Sequence, residues 1–210
     1  TASRLRQRRV LVQHGPMFLF PLQLEGDTQI RFWSPFRSMP EAAQQVIASF
    51  ARFAPHDAQL VIKGHPLDNG LLPWRRILKR CAAEHGVADR VHYLAEVAYT
   101  PLLAAARGVI TVNSTAGLQA LREGKRVIAL GTAVYDLPGL TWQHGLDRFW
   151  TEAAPPDMEL VDSLRRALAA HCLIRGGLFD ETQMRVAVDA AVERMTVRRL
   201  ASAPSQLARG

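Results

Sequence analysis

The stretch GVITVNSTAGLQALREGKRVIAL, residues 108–130, decides how this chain folds. Gly108 to Val112 is apolar and strand-like. Asn113-Ser114-Thr115 supplies side chains that start helices, and Thr115 to Glu123 keeps helical spacing until Gly124 closes it. Arg126 to Leu130 returns to strand character. Strand, short helix and strand in immediate succession form the repeating unit of a parallel sheet.

The same alternation extends to either side. Met17 to Leu24 reads as a continuous buried strand, followed by turn chemistry in Glu25-Gly26-Asp27-Thr28 and a loop punctuated by Ser34-Pro35 and Met39-Pro40. Ser38 is placed to cap a helix over Ala42 to Ala54, with Pro40 and Glu41 in its first turn and Ala43, Val46, Ile47 and Phe50 at helical spacing. Gln59 to Lys63 is a strand. Pro73 to Glu84 is a helix with Trp74, Ile77, Leu78 and Cys81 on one face and Gly86 at its carboxyl cap. Arg90 to Leu94 is a strand and Tyr99 to Ala106 a short helix. The pattern loosens after Gly131, and Asp157 to His171 and Asp180 to Thr196 read as helices. The prediction is an α/β fold, a parallel sheet with helices on both faces. Residues 1–15 read as a basic lead-in, 16–196 as one domain and 197–210 as a disordered tail.

Composition narrows the function classes. The 210 residues are 48% hydrophobic and 21% charged, enough for a buried core, with a formal net charge of +7. A basic balance favours nucleic acid, anionic lipid or acidic small molecules without choosing among them, and it also suits a surface that merely keeps the chain soluble. The basic residues are scattered and not interleaved with aromatics, so no nucleic-acid partner is expected. Cys81 and Cys172 lie far apart and read as reduced, partly buried thiols in a cytoplasmic protein. No apolar run approaches membrane-spanning length, and the first residues lack a signal-peptide core. They also lack an initiator methionine, so the chain is read as a fragment or a processed product, with further sequence expected upstream.

Two short runs carry the chemistry, Lys63-Gly64-His65-Pro66 and Asn113-Ser114-Thr115-Ala116-Gly117. Each follows a strand, and residues just past the carboxyl ends of parallel strands form the ligand crevice. Lys63 contributes a point charge and His65 a donor in either tautomer. Gly64 is read as admitting close backbone approach to a ligand, and Pro66 as fixing the turn. Hydroxyls and free N–H groups at a helix start suit a phosphate, and Gly117 is read as keeping that first turn open to it. Ordinary strand-end and capping roles stand beside these readings. Asp27 is a candidate general base or an Asx-turn residue, and Tyr135, Asp136 and Pro138-Gly139-Leu140 either close over a ligand or form a rigid loop. No GxGxxG, GxxxxGK[ST] or GxSxG is present, which argues against dinucleotide oxidoreductases, P-loop NTPases and α/β-hydrolases.

Further matches lie in Gln23-Leu24-(x2)-Asp27-Thr28-Gln29-Ile30, Ser34, Phe36, Phe50-Ala51-(x2)-Ala54-Pro55, Leu60 to Asp68, Thr111 to Leu121, Gly131-(x3)-Tyr135-Asp136 and Leu137 to Thr141. With them, residues 17 to 180 resemble the bacterial capsule polysaccharide biosynthesis and export proteins, the Kdo transferases of the poly-Kdo linker on phosphatidylglycerol. The single-module type that starts the linker is the nearer likeness. The resemblance implies the Rossmann-like, C-terminal nucleotide-binding half of a GT-B glycosyltransferase. It also implies a CMP-Kdo donor, an anionic glycolipid acceptor, and no metal or other cofactor. By that likeness Lys63, His65, Pro66, Asn113, Ser114, Thr115 and Gly117 hold the CMP-sugar and Asp27 is the catalytic base. Partners would be other capsule synthesis and export proteins at the inner face of the cytoplasmic membrane. The competing reading is a non-catalytic assembly or export component with the same fold.

Overall fold

The computed structural model describes residues 15–177 and 180–201, with side chains through 196. They divide into two compact units, with the boundary between Asp162 and Ser163. The first unit holds a five-stranded, all-parallel sheet made of β1 (Met17–Pro21), β2 (Gln59–Lys63), β3 (Val91–Leu94), β4 (Gly108–Thr111) and β5 (Arg126–Ala129). Its order is β3-β2-β1-β4-β5, the Rossmann-like order, with the reversal of direction between β1 and β4.

Burial alternates along the strands and sets the two layers. Phe18, Phe20, Leu60, Ile62, Ile110 and Ile128 join one core with α2 (Met39–Phe53), α3 (Trp74–Glu84) and α6 (Leu146–Glu152). Leu19, Val61, Val109 and Val127 are equally buried on the opposite face. There α4 (Tyr99–Ala105) packs on β1, and α5 (Ala116–Arg122) packs on β4 and β5. Trp150 anchors the first layer, its ring set edge-on to Phe18 at 5.1 Å and to Phe50 at 5.3 Å. Its Nε1 donates to Ser49 Oγ at 2.8 Å, so the indole is buried without an unpaired polar atom.

Several expectations are corrected here. β1 stops at Pro21, which has no N–H to extend a ladder, although Leu22 and Gln23 stay buried and prolong the apolar run. A helix, α1 (Thr28–Trp33), stands where a loop was expected. Only Ile30 of its six residues is buried, while Phe32 and Trp33 are exposed, so no helical stripe marks it. α6 was also missed, although Leu146, Phe149 and Trp150 have core-facing spacing. Cys81 is buried, but Cys172 is exposed rather than partly buried. α7 (Met158–His171) begins one residue after its expected start, and α8 (Glu181–Ala201) runs past its expected end at Thr196. The lead-in before Gly15 and the tail beyond Ala201 lie outside the described residues.

One edge contact gives stability a pH dependence. His92 on β3 lies 2.7 Å from Gln59 Oε1, and burial pulls its pKa down, against a weaker upward pull from Asp89. The unfolded chain therefore binds the proton more readily than the folded one across the window below the free-histidine pKa of about 6.5. Stability is expected to fall as pH drops through that window. The urea midpoint of His92→Gln, which keeps a partner for Gln59 without titrating, should fall less between about pH 7 and pH 5. Equal slopes for the two proteins would contradict this assignment.

Candidate ligand site at the carboxyl edge of the sheet

At the end of β2 the chain turns on His65-Pro66-Leu67-Asp68, with Asp68 N donating to His65 O at 3.1 Å and Pro66 in the first central position, as expected. Leu67 N donates to His65 Nδ1 at 3.1 Å. The neutral ring therefore carries its hydrogen on Nε2, which is left as a donor. Lys63 is 5% exposed, and its Nζ donates to Gly64 O at 2.6 Å. Burial pushes its pKa down. Gly64 is not an opening for a ligand. A Cβ there would lie 2.8 Å from Tyr93 Oη and 3.2 Å from Ala95 Cα, so the missing side chain makes room for the neighbouring strand end.

The loop after β4 is built from its own side chains. Ser114 N donates to Thr111 Oγ1 at 3.0 Å, and Ser114 Oγ accepts from Ala116 N at 3.2 Å. Thr115 occupies the cap position of α5 with an exposed side chain that makes no capping bond. Asn113 is committed inside the protein. Its Nδ2 donates to Gln29 O (2.9 Å) and Trp33 O (3.1 Å), and its Oδ1 accepts from Gln23 Nε2 (2.9 Å). It ties β4 to the end of α1. Gly117 also departs from expectation, because the space beside it is filled by the ring of Tyr135. That residue is 1% exposed and donates from its hydroxyl to Ser114 O at 2.5 Å. Tyr135 thus belongs to a rigid support, and burial holds its hydroxyl far above the usual tyrosine pKa.

Asp27 caps α1. Its Oδ1 accepts from Gln29 N at 2.9 Å, and its Oδ2 accepts from Gln23 Nε2 at 3.2 Å. Gln23, 6% exposed, therefore bridges Asp27 and Asn113 across the reversal point between β1 and β4. Its signal in the sequence is that of a polar residue ending an apolar run.

Two clefts open beside β2. One, of about 760 Å³, is lined by Gln23, Asp27 and His65 among others. The second, of about 930 Å³, is lined by Lys63, His65 and Pro66, and also by Arg75, Arg76, Lys79 and Tyr93. His65 belongs to both. Ser114, Thr115 and Gly117 line neither, so the two motifs share the carboxyl edge of the sheet without sharing one of these clefts. Among the described residues no group of three or more His, Cys, Asp or Glu side chains is placed to hold a metal ion. None of the described helices is long and apolar enough to cross a membrane.

Comparison with known proteins agrees with the motifs. The chain is 39% identical over 148 residues to the capsule polysaccharide export protein KpsS of Escherichia coli, covering 70% of this chain and 38% of that protein. It is 39% identical over 154 residues to the capsule polysaccharide modification protein LipB of Neisseria meningitidis serogroup A, covering 73% and 37%. The chain thus spans little more than a third of the length of these curated relatives. Among solved structures, the Thermosulfurimonas dismutans protein KpsC, described as a beta Kdo 2,7 transferase, is 19% identical with a TM-score of 0.48 over 80% of this chain and 62% of that one. The family model for capsule polysaccharide biosynthesis proteins matches residues 2–179, and to that family this chain belongs.

Proposed function

We propose that this chain is the nucleotide-binding half of a glycosyltransferase that moves Kdo from CMP-Kdo to a phosphatidylglycerol-type lipid acceptor during capsule synthesis. The observation that carries the reading is His65. It stands at a strand end between two clefts, with Nδ1 occupied by Leu67 N and Nε2–H left to donate. That suits a donor whose leaving group is a phosphate, the more so with Lys63 buried beside it.

In the proposed reaction, the acceptor hydroxyl oxygen bonds to the anomeric carbon of the sugar as the bond from that carbon to the CMP phosphate oxygen breaks. Asp27 takes the hydroxyl proton. The hydrogen-bond donors of His65 and Lys63, with the hydroxyls of Ser114 and Thr115, stabilise the charge that collects on the departing phosphate. Pro66 holds the imidazole turn, while Asn113 and Gly117 position the Ser114 loop rather than touch the donor. A basic surface at the inner face of the membrane, among other capsule synthesis and export proteins, fits an anionic lipid acceptor.

Asp27→Asn tests the base directly, because asparagine caps helices as well as aspartate does. The variant, carried in a protein that turns over CMP-Kdo, should fold normally and bind CMP within about twofold of wild type while losing at least about 100-fold in turnover. Unchanged turnover would remove Asp27 from the reaction.

A further inference from the structure

We infer that the cleft on the β3 side of His65 is a second anion site, built to take the dianionic phosphate of a phosphomonoester through Arg75, Arg76, Lys79 and Lys63. Lys63, Arg75, Arg76 and Lys79 line this cleft together with Asp68 and Glu96, four cations with two carboxylates, which leaves a formal surplus of two positive charges. That surplus matches a doubly charged phosphate. Lys63 is 5% exposed and uses one N–H on Gly64 O, and its other two N–H groups have no hydrogen-bond partner among the described residues. The Tyr93 hydroxyl, brought over the strand end by the missing side chain of Gly64, adds a neutral donor to the same wall.

The helix that lines the cleft is arranged against its own stability. α3 has Pro73 at its N-cap, with no side-chain capping bond and no acidic residue in its first turn. Instead it places Arg75 and Arg76 in the first turn and Lys79 just beyond, where cations oppose the helix dipole. Arg75 and Lys79 are also an i, i+4 pair of like charge on one face. An anion in the cleft relieves both repulsions. The half-apolar lining from Leu72, Trp74 and Val97 leaves room for the organic part of the ligand.

This site goes beyond the donor reading, because Arg75, Arg76 and Lys79 are not among the residues assigned to the CMP phosphate, and Lys63 alone is common to both. The probe is glycerol 3-phosphate, titrated into the chain at constant ionic strength and followed by calorimetry and by melting temperature. The expected result is saturable binding with a melting temperature that climbs with ligand concentration. The double variant Arg75→Ala/Lys79→Ala, changed at exposed positions, should fold with an unchanged or higher melting temperature in buffer alone. It should lose at least about tenfold in glycerol 3-phosphate affinity while CMP affinity shifts by less than about twofold. Arg52→Ala serves as the charge control and should bind as wild type. Co-sedimentation with phosphatidic acid vesicles, against phosphatidylcholine vesicles, assigns the source. Capture that needs Arg75 and Lys79 means a lipid headgroup, and capture by neither vesicle means a free phosphomonoester. Absence of saturable binding, or equal affinity in the double variant, overturns the inference. Loss of CMP binding with glycerol 3-phosphate binding intact overturns the donor reading alone.

Discussion

Gly117→Ala is expected to destabilise the folded chain by about 3 kcal/mol, the upper part of the usual range for forcing atoms into a packed interior. The added Cβ would fall within 2.6 Å of three atoms of Tyr135, its hydroxyl oxygen and two ring carbons. That ring is 1% exposed and is held by its hydroxyl bond to Ser114 O, so it has no free space to enter. The strain must pass into the loop that carries Ser114 and Thr115. Tyr135→Phe provides the comparison, because it removes the 2.5 Å hydrogen bond but keeps the ring, and it should cost only about 1 kcal/mol. Urea unfolding of the two variants separates them. Near-equal small effects would mean that the ring does not fill the space beside Gly117.

The second large effect is on ligand binding. His65→Ala should weaken CMP binding at least about tenfold, which corresponds to the roughly 1.5–3 kcal/mol of a hydrogen bond to a charged group. Stability should change little, because the imidazole is only half-buried and its hydrogen bond from Leu67 N lies in an exposed turn. His65→Asn keeps a short acceptor near that N–H without the reach of Nε2, so it should bind CMP as poorly as the alanine variant. Retained affinity in His65→Asn would assign the residue to the turn and not to the ligand.

The parts of the fold that were legible are those where one local signal is enough. β2 and the helix after Ser38 were readable because apolar runs end in residues with their own backbone chemistry, such as Ser38 with its capping bond to Glu41 N. The strand-helix-strand run over 108–130 held for the same reason. Short elements were not legible. α1 buries one residue, and its aromatic pair faces outward, so propensity and pattern give no stripe to detect. The same limit applied to the site. A glycine reports a missing side chain but not what fills the space, so Gly64 and Gly117 looked like openings for a ligand when Tyr93 and Tyr135 occupy them. Asn113 looked available to a ligand because the acceptors of its Nδ2, Gln29 O and Trp33 O, lie 84 and 80 residues away in the chain. Arg75, Arg76 and Lys79 form no motif in the sequence, because only the fold sets them beside Lys63 in one cleft.

The central claim is that the carboxyl edge of this sheet holds a cytidine nucleotide, and calorimetric titration with CMP, UMP and AMP tests it most directly. The account predicts saturable CMP binding, with UMP and AMP at least about tenfold weaker. Binding of all three with equal affinity, or no CMP binding by a chain that circular dichroism shows to be folded, would contradict it.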